Sequence, residues 1–577
     1  MIWHKARAML NSDNFREEKG HMLKKGMLLN GLMISCTLYI ASVILAHEYD
    51  WDIDQFMYFG SRLANGELAF VREYDDKSVA VHALFLIPFW LKSIRFWYIM
   101  STVAASAAAY FLYKTLIKTE RRGNEKAAIS AIYFAFMMIS TRGGINHING
   151  MAACMTLACI CGIALSETKN TQLIATNKIP IYILLGAWST SIRPYYILTT
   201  LAIITWPALK VILTNNSSES KNRSSLDNQF EKHRIIVNTI GLVGLLATFI
   251  TSINILPYIL TGEGKALADA FLINKISITP GIQKGIVSIF FIAMQKAPLI
   301  IAPVIASNIL MIMEIFRGAR AKNLNIQIFL EKNIDIIYSG SLMPILLAIM
   351  MSTRHFHNHY LALFAPFSAI TLYFLLSRGR NNKTLAAPHR QNNSKSILRK
   401  ASQITIGLGL TYHCIYPIVK INEQFSPWSK VRTQGRENIL KELEALTRID
   451  GAKNSFVVTR DNHFHWRLKQ SRMGIPHASL LSKIATNYEN IGQATSKASQ
   501  IKTKFKYPST SQLCNTMMVA NPDVYLVPKN TLEDNCLNKE NSDYSFYKEV
   551  EKGHTWNLTK TKIGVIYVRS DEIMKKY

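Results

Sequence analysis

Charge is scarce in this chain, and negative charge is scarcer. Only 18% of the 577 residues are Asp, Glu, Lys or Arg, against roughly 25% in a typical soluble domain, while 49% are hydrophobic. Such a composition excludes an intrinsically disordered chain. It also argues against the several soluble domains that this length would otherwise hold. Cysteine is sparse, at seven residues, with no CxxC pair and no metal-ligand spacing. Cys36, Cys154, Cys159, Cys161 and Cys414 lie in apolar stretches and read as small buried apolar residues. Cys514 and Cys536 lie in the polar C-terminal part, where an oxidising compartment would permit a disulfide; the sequence gives no geometry for it. No internal repeat stands out. What the chain does have is an excess of base, 66 Lys and Arg to 38 Asp and Glu, for a formal net charge of +28. That excess suggests nucleic acid only if the charge is gathered on one face, and it is not.

The apolar residues come in blocks. The first, 27–46, has about 20 residues and no charge, enough for a helix to cross a bilayer core. A cleaved signal peptide is disfavoured, because the polar segment before it is long and Ile44-Leu45-Ala46 is a poor cleavage site. Further spans are expected at 95–117, 127–142, 150–166, 179–193, 194–213, 235–260, 286–316, 334–351, 360–376 and 402–420, about eleven in all. Of these, 179–213 has no clear break, and 286–316 reads as one long or two broken helices. The stretch 79–91 is too short to span and reads as a helix lying at the interface.

Basic residues mark one side of the membrane. The N-terminal tail, 1–26, is rich in Lys and Arg; 377–400 carries seven of them and no acid; 118–126, 215–234 and 317–332 are also basic. Alternating spans put all of these on the cytoplasmic side. The opposite side begins with segment 47–80, where eight acids outnumber three bases for a net −5. Long loops in compact membrane proteins commonly carry function. The organisation expected is therefore a cytoplasmic tail (1–26), a multi-span helical domain (27–420) and a small extracytoplasmic α/β domain (421–577). In the last, 457–459, 524–527 and 564–568 read as strands, and 437–446 and 480–491 as helices.

The first external loop holds the densest candidate chemistry. Asp50, Asp52 and Asp54 alternate at its start. Phe56, Phe59 and Leu63 against Tyr58 and Arg62 then spell a short amphipathic helix, stopped by Gly66. Asp52 or Asp54 could cap that helix, which leaves carboxylates over for work as a metal ligand or general base. Downstream, Tyr74-Asp75-Asp76-Lys77 leads into the interfacial stretch. Lys77 could meet a lipid phosphate or simply pair with Asp75 or Asp76. Three later patches carry polar groups: Arg142 to His147, at an external turn; Ile192-Arg193-Pro194-Tyr195-Tyr196, with an arginine inside an apolar block; and Arg354-His355-Phe356-His357-Asn358-His359-Tyr360, ahead of a span containing Pro366. His463-Phe464-His465-Trp466 in the tail reads as a surface or acceptor-contact patch.

Acids just after the first span, an amphipathic helix, Leu63-x-x-Gly66-x-Leu68 and Tyr74-Asp75-Asp76-Lys77 ahead of an apolar helix together resemble the first periplasmic loop of GT-C glycosyltransferases. The likeness is to the family 39 branch, which includes protein O-mannosyltransferases and the aminoarabinose transferase of lipid A. Gln55 stands where that family often has a second acid, and Ser78-Val79 where it has Pro-Pro. The resemblance implies an inner-membrane enzyme that takes a sugar from a polyprenyl-phosphate donor and passes it to an envelope glycan, lipid or protein on the periplasmic face. It implies Asp54, with Asp52 behind it, as catalytic carboxylate. Asp75, Asp76, Lys77, Arg193, His357, His359 and Tyr360 would line the substrate site. A divalent cation such as magnesium or manganese would fall to Asp52 and Asp54. Other classes share the layout. An O-antigen polymerase or ligase has many spans, but its large loop tends to lie late and to be rich in Arg and His. A transporter or flippase would carry more charge within its spans than Arg193, Lys296 and Glu314. A structural membrane protein whose tail is an interaction module is also consistent with the sequence.

Overall fold

A computed structural model describes residues 51–68, 77–119, 124–140, 147–167, 178–214, 225–268, 284–320, 326–352, 356, 358–381 and five strands between 457 and 569. The expected first and last spans (27–46 and 402–420), the tail helices at 437–446 and 480–491, His463 to Trp466, and Cys36, Cys414, Cys514 and Cys536 lie outside these residues.

The helices run in chain order as α1 (Trp51–Ala64), α2 (Val79–Leu84), α3 (Leu86–Trp90), α4 (Ile94–Thr119), α5 (Asn124–Ser140), α6 (Ile148–Glu167), α7 (Ile179–Ile192), α8 (Ile197–Thr214), α9 (Ser225–Asn254), α10 (Leu256–Leu260), α11 (Ile286–Lys296), α12 (Pro298–Arg320), α13 (Ile326–Ile337), α14 (Met343–Ser352) and α15 (Ala365–Asn381). A π turn (Tyr338–Leu342) joins α13 to α14, and 3-10 turns (Pro194–Tyr196 and Asn358–Phe364) precede α8 and α15. Each of the nine expected stretches between 95 and 376 falls on one of these helices or on a pair of them. Among the described residues, six helical segments are long and apolar enough to cross a membrane: Ile94–Lys118, Ile148–Leu165, His233–Asn254, Pro298–Arg320, Asn333–Ser352 and Tyr360–Ser377.

Proline decides where the longer apolar blocks break. Residues before proline are pushed from the α region to extended backbone. Arg193, before Pro194, has φ −136° and ψ 95° and ends α7; Ala297, before Pro298, has φ −145° and ends α11. So 179–213 is two helices, and so is 286–316. Prolines inside a helix free a carbonyl four residues back, which must find a donor in the bilayer. Pro303 frees Leu299, and the Tyr133 hydroxyl on α5 donates to it. Pro344 frees Gly340, whose carbonyl accepts from Asn308 Nδ2 on α12 at 2.7 Å.

Small residues and hydroxyls let the central helices approach closely. Between α6 and α7, Gly162 leaves room for the Tyr182 ring, and Gly186 faces Cys159 and Thr200. Thr156 and Ser189 share a hydrogen bond of 2.6 Å, and Ser189 donates on to the Ala152 carbonyl at 2.8 Å. Cys154, Cys159 and Cys161 are buried free thiols, as the sequence suggests.

The first-loop helix α1 stops in a Schellman motif. Gly66 sits at φ +77°, Glu67 N–H donates to the Arg62 carbonyl at 2.9 Å, and Gly66 N–H to the Leu63 carbonyl at 3.0 Å. The start differs from the capping expectation. Asp52 and Asp54 lie within the helix span rather than ahead of it. Gly60 is where α1 meets the α2–α3 bend, because a Cβ there would come within 2.8 Å of Phe85 Cβ.

The five strands form one sheet: β1 (Val457–Val458), β2 (Val524–Pro528), β3 (Tyr547–Glu549), β4 (Trp556–Thr559) and β5 (Lys562–Arg569). β1 runs parallel to β2, and β2 antiparallel along one edge of β5. β4 and β3 share the other edge of β5, one at residues 562–564 and the other at 567–569. The three strands expected from sequence are β1, β2 and β5.

Candidate functional site

Asp54 lies on α1 and is fully buried. Two residues on, Phe56 packs on Phe85 (5.4 Å between centroids) and edge-on against His147 at 5.9 Å. Phe59 stacks on the buried His82 of α2 at 5.0 Å. Arg62 is held by Glu67 and by the face of Tyr58. The described start of the acidic loop is therefore a helix in which Asp54 is buried and Arg62 is occupied locally.

Lys77 is half-buried at the start of α2. The next residue, Ser78, sits at the N-cap position of α2 without capping it; its hydroxyl donates instead to the Ser191 carbonyl at 2.7 Å. Asn254 Nδ2, at the end of α9, donates to Ser191 Oγ at 2.7 Å, and the Trp188 indole N–H donates to the Ala80 carbonyl at 3.1 Å. These bonds fasten the end of the first loop to the last turn of α7, two residues before Arg193.

Arg193 is 5% exposed. Its Nε donates to Asn149 Oδ1, its Nη2 lies 3.4 Å from His147 Nδ1, and its guanidinium carbon sits 5.1 Å from the centre of the Tyr360 ring. Tyr360 is buried and packs on Tyr195 at 5.1 Å. Among the described residues no carboxylate lies within salt-bridge distance of Arg193. A charged group at membrane depth costs about 2.5–3.5 kcal/mol on insertion scales and is normally met by a partner or a water-filled cavity. Here its companions are an amide, an imidazole and an aromatic face.

The structure thus brings Arg193 and Tyr360 into contact, ties Lys77 to them through Ser78 and Ser191, and joins the Asp54 helix through Phe56 and His147. All lie at the end of the helices opposite the basic connections. Asp52 and His359 have described backbone, in α1 and the second 3-10 turn, but their side chains are outside the description, as are Asp75, Asp76, His357, Arg142 and Arg354 altogether. Asp54 is accordingly the one described side chain of the suggested cation pair, and among the described residues no three His, Cys, Asp or Glu side chains gather as a metal site. Sequence reading did not single out Asn149 or Asn254. Each acts on a residue 44 or more positions away, where no local pattern points.

No protein-family profile matches the sequence, and no curated protein matches it. The fold is nevertheless similar to that of a solved structure. The chain is similar to the crystal structure of ArnT from Cupriavidus metallidurans bound to undecaprenyl phosphate, with a TM-score of 0.50 and 10% identity over 94% of this chain and 98% of that one. It also aligns with the archaeal oligosaccharyltransferase AglB from Archaeoglobus fulgidus in complex with an inhibitory peptide and a dolichol-phosphate, at a TM-score of 0.39 and 11% identity, over 92% of this chain and 75% of that one.

Proposed function

We propose that this chain is an integral membrane glycosyltransferase that moves a sugar from a polyprenyl-phosphate donor to an envelope acceptor on the periplasmic face of the inner membrane. The observation that carries the proposal is Arg193: a buried guanidinium with neutral partners, beside the segment that holds Lys77 and on the same end of the bundle as a buried carboxylate. A cation so placed gains most when an anion arrives. Cleavage of a sugar–phosphate bond leaves negative charge on the phosphate. Arg193 and Lys77 would stabilise that charge in the transition state more than in the ground state, which is what accelerates a reaction. Tyr360 covers the guanidinium face. Asp54 would take the proton from the acceptor hydroxyl, and direct displacement would invert the anomeric carbon. The full burial of Asp54 suits a base shielded from water. Asp75, Asp76, His357 and His359 are assigned to the same site on their sequence positions, and the extracytoplasmic sheet to acceptor handling.

The test is transfer of radiolabel from polyprenyl-phosphate sugars to envelope extract by the purified protein in detergent, wild type against Asp54→Asn. Loss of a general base lowers the rate by about 10²–10⁴-fold. Equal turnover in the two proteins would remove Asp54 from the mechanism, and no transfer from any donor would favour a transporter instead.

A further inference from the structure

The surroundings of Arg193 point to a second set of residues whose part is positional. An arginine side chain has about 2 kcal/mol of rotamer entropy to lose before it can present a fixed fork to a ligand. Asn149 takes Nε through Oδ1, and His147 receives Nη2 on Nδ1. The backbone N–H of Asn149 also points at His147 Nδ1, at 3.3 Å. Two donors facing one ring nitrogen are met by the tautomer with its proton on Nε2, in which Nδ1 is a bare acceptor. The His147 ring is itself set edge-on against Phe56 of the α1 helix, and Tyr360 closes the guanidinium face. Of the five N–H donors of the guanidinium, Asn149 and His147 engage two, and no further partner is found among the described residues.

Asp or Glu at either position would hold the fork equally well, and more strongly. It would also neutralise the charge. Neutral acceptors orient the guanidinium while leaving its charge for an incoming anion. We propose that His147 and Asn149 are positioning residues that fix Arg193 toward the phosphate of the lipid donor, and that their neutrality is the functional property. This rests on the reading of Arg193 as an anion-binding group.

A structural role and this one give opposite signs for one substitution. Asn149→Asp keeps the acceptor and adds a counter-charge, so a role in stability alone would be served as well or better by it. The full-length protein in nanodiscs would be titrated with undecaprenyl phosphate by native mass spectrometry, with thermal melting alongside, for wild type, Asn149→Asp and Arg193→Met. The expected result is that Asn149→Asp melts at or above the wild-type temperature yet binds the lipid phosphate on the order of tenfold more weakly, since a neighbouring carboxylate repels the anion. His147→Glu places the same charge from the other side and is expected to behave alike, which keeps the test open if Asn149→Asp does not fold. Asn149→Asp binding as tightly as wild type, with Arg193→Met still weak, overturns the positioning role alone. Wild type binding no tighter than Arg193→Met removes the anion reading and this proposal with it.

Discussion

Arg193 precedes α8 and Lys210 lies within it, 17 residues on and so roughly 25 Å away along a helix of 1.5 Å rise. Their settings differ in kind. Lys210 Nζ lies 2.9 Å from Asp335 Oδ1 on α13, and both side chains are more than a third exposed. It is a solvated pair at the end that carries the basic connections, and its worth is in the range of surface ion pairs. Arg193 is buried, with its charge met by Asn149, His147 and the Tyr360 ring. Among the described residues, the Lys210 charge is paired with a carboxylate and the Arg193 charge is met by neutral groups. That contrast says more about function than the net charge of +28, which the basic connections largely explain.

Four substitutions would break or sharpen it. Arg193→Met should cost the most activity, about 10²–10³-fold in transfer, as for loss of one transition-state donor, while the ligand-free protein melts no lower and even higher, because a buried charge with no counter-charge among the described residues has been replaced by an apolar side chain of similar length. A fall in melting temperature would show that Arg193 is a structural group. Gly60→Ala should come next. The added methyl meets Phe85 at 2.8 Å and its backbone at 3.1 Å, so α1 must shift, with a stability cost of about 1–3 kcal/mol and a lower turnover per folded molecule as Asp54 moves. Gly340→Ala, toward the Lys210 end, meets Ser307 Oγ at 2.2 Å and Thr371 Cγ2 at 3.0 Å. It should cost stability of the same order, about 1–3 kcal/mol, with turnover per folded molecule unchanged; a loss of turnover equal to that of Gly60→Ala would erase the difference between the ends. Lys210→Met should do least, under about 1 kcal/mol in stability and no measurable change in transfer.

Much of the fold could be read from the residues, because apolar length and proline act locally. The helices from α4 to α15 follow the apolar blocks, and Pro194 and Pro298 set breaks that composition alone leaves open. Gly66 ends α1 as its conformational freedom suggests. The site was legible only in part. Arg193 stands out as a charge in an apolar block, and Asp54 as an acid beside a span. The capping role considered for the acids failed because the helix already includes them, and helix starts are decided by backbone the side chains do not announce. Asn149 and Asn254 are ordinary polar residues at helix ends. What distinguishes them is a partner on another helix, fixed by how α6, α7 and α9 pack rather than by spacing along the chain.

The most direct test of the central claim is the affinity of undecaprenyl phosphate for three forms of the full-length protein: wild type, Arg193→Met and Lys210→Met. Binding by wild type and Lys210→Met alike, with Arg193→Met weaker by on the order of tenfold or more, is the predicted result. Equal binding by all three would contradict it.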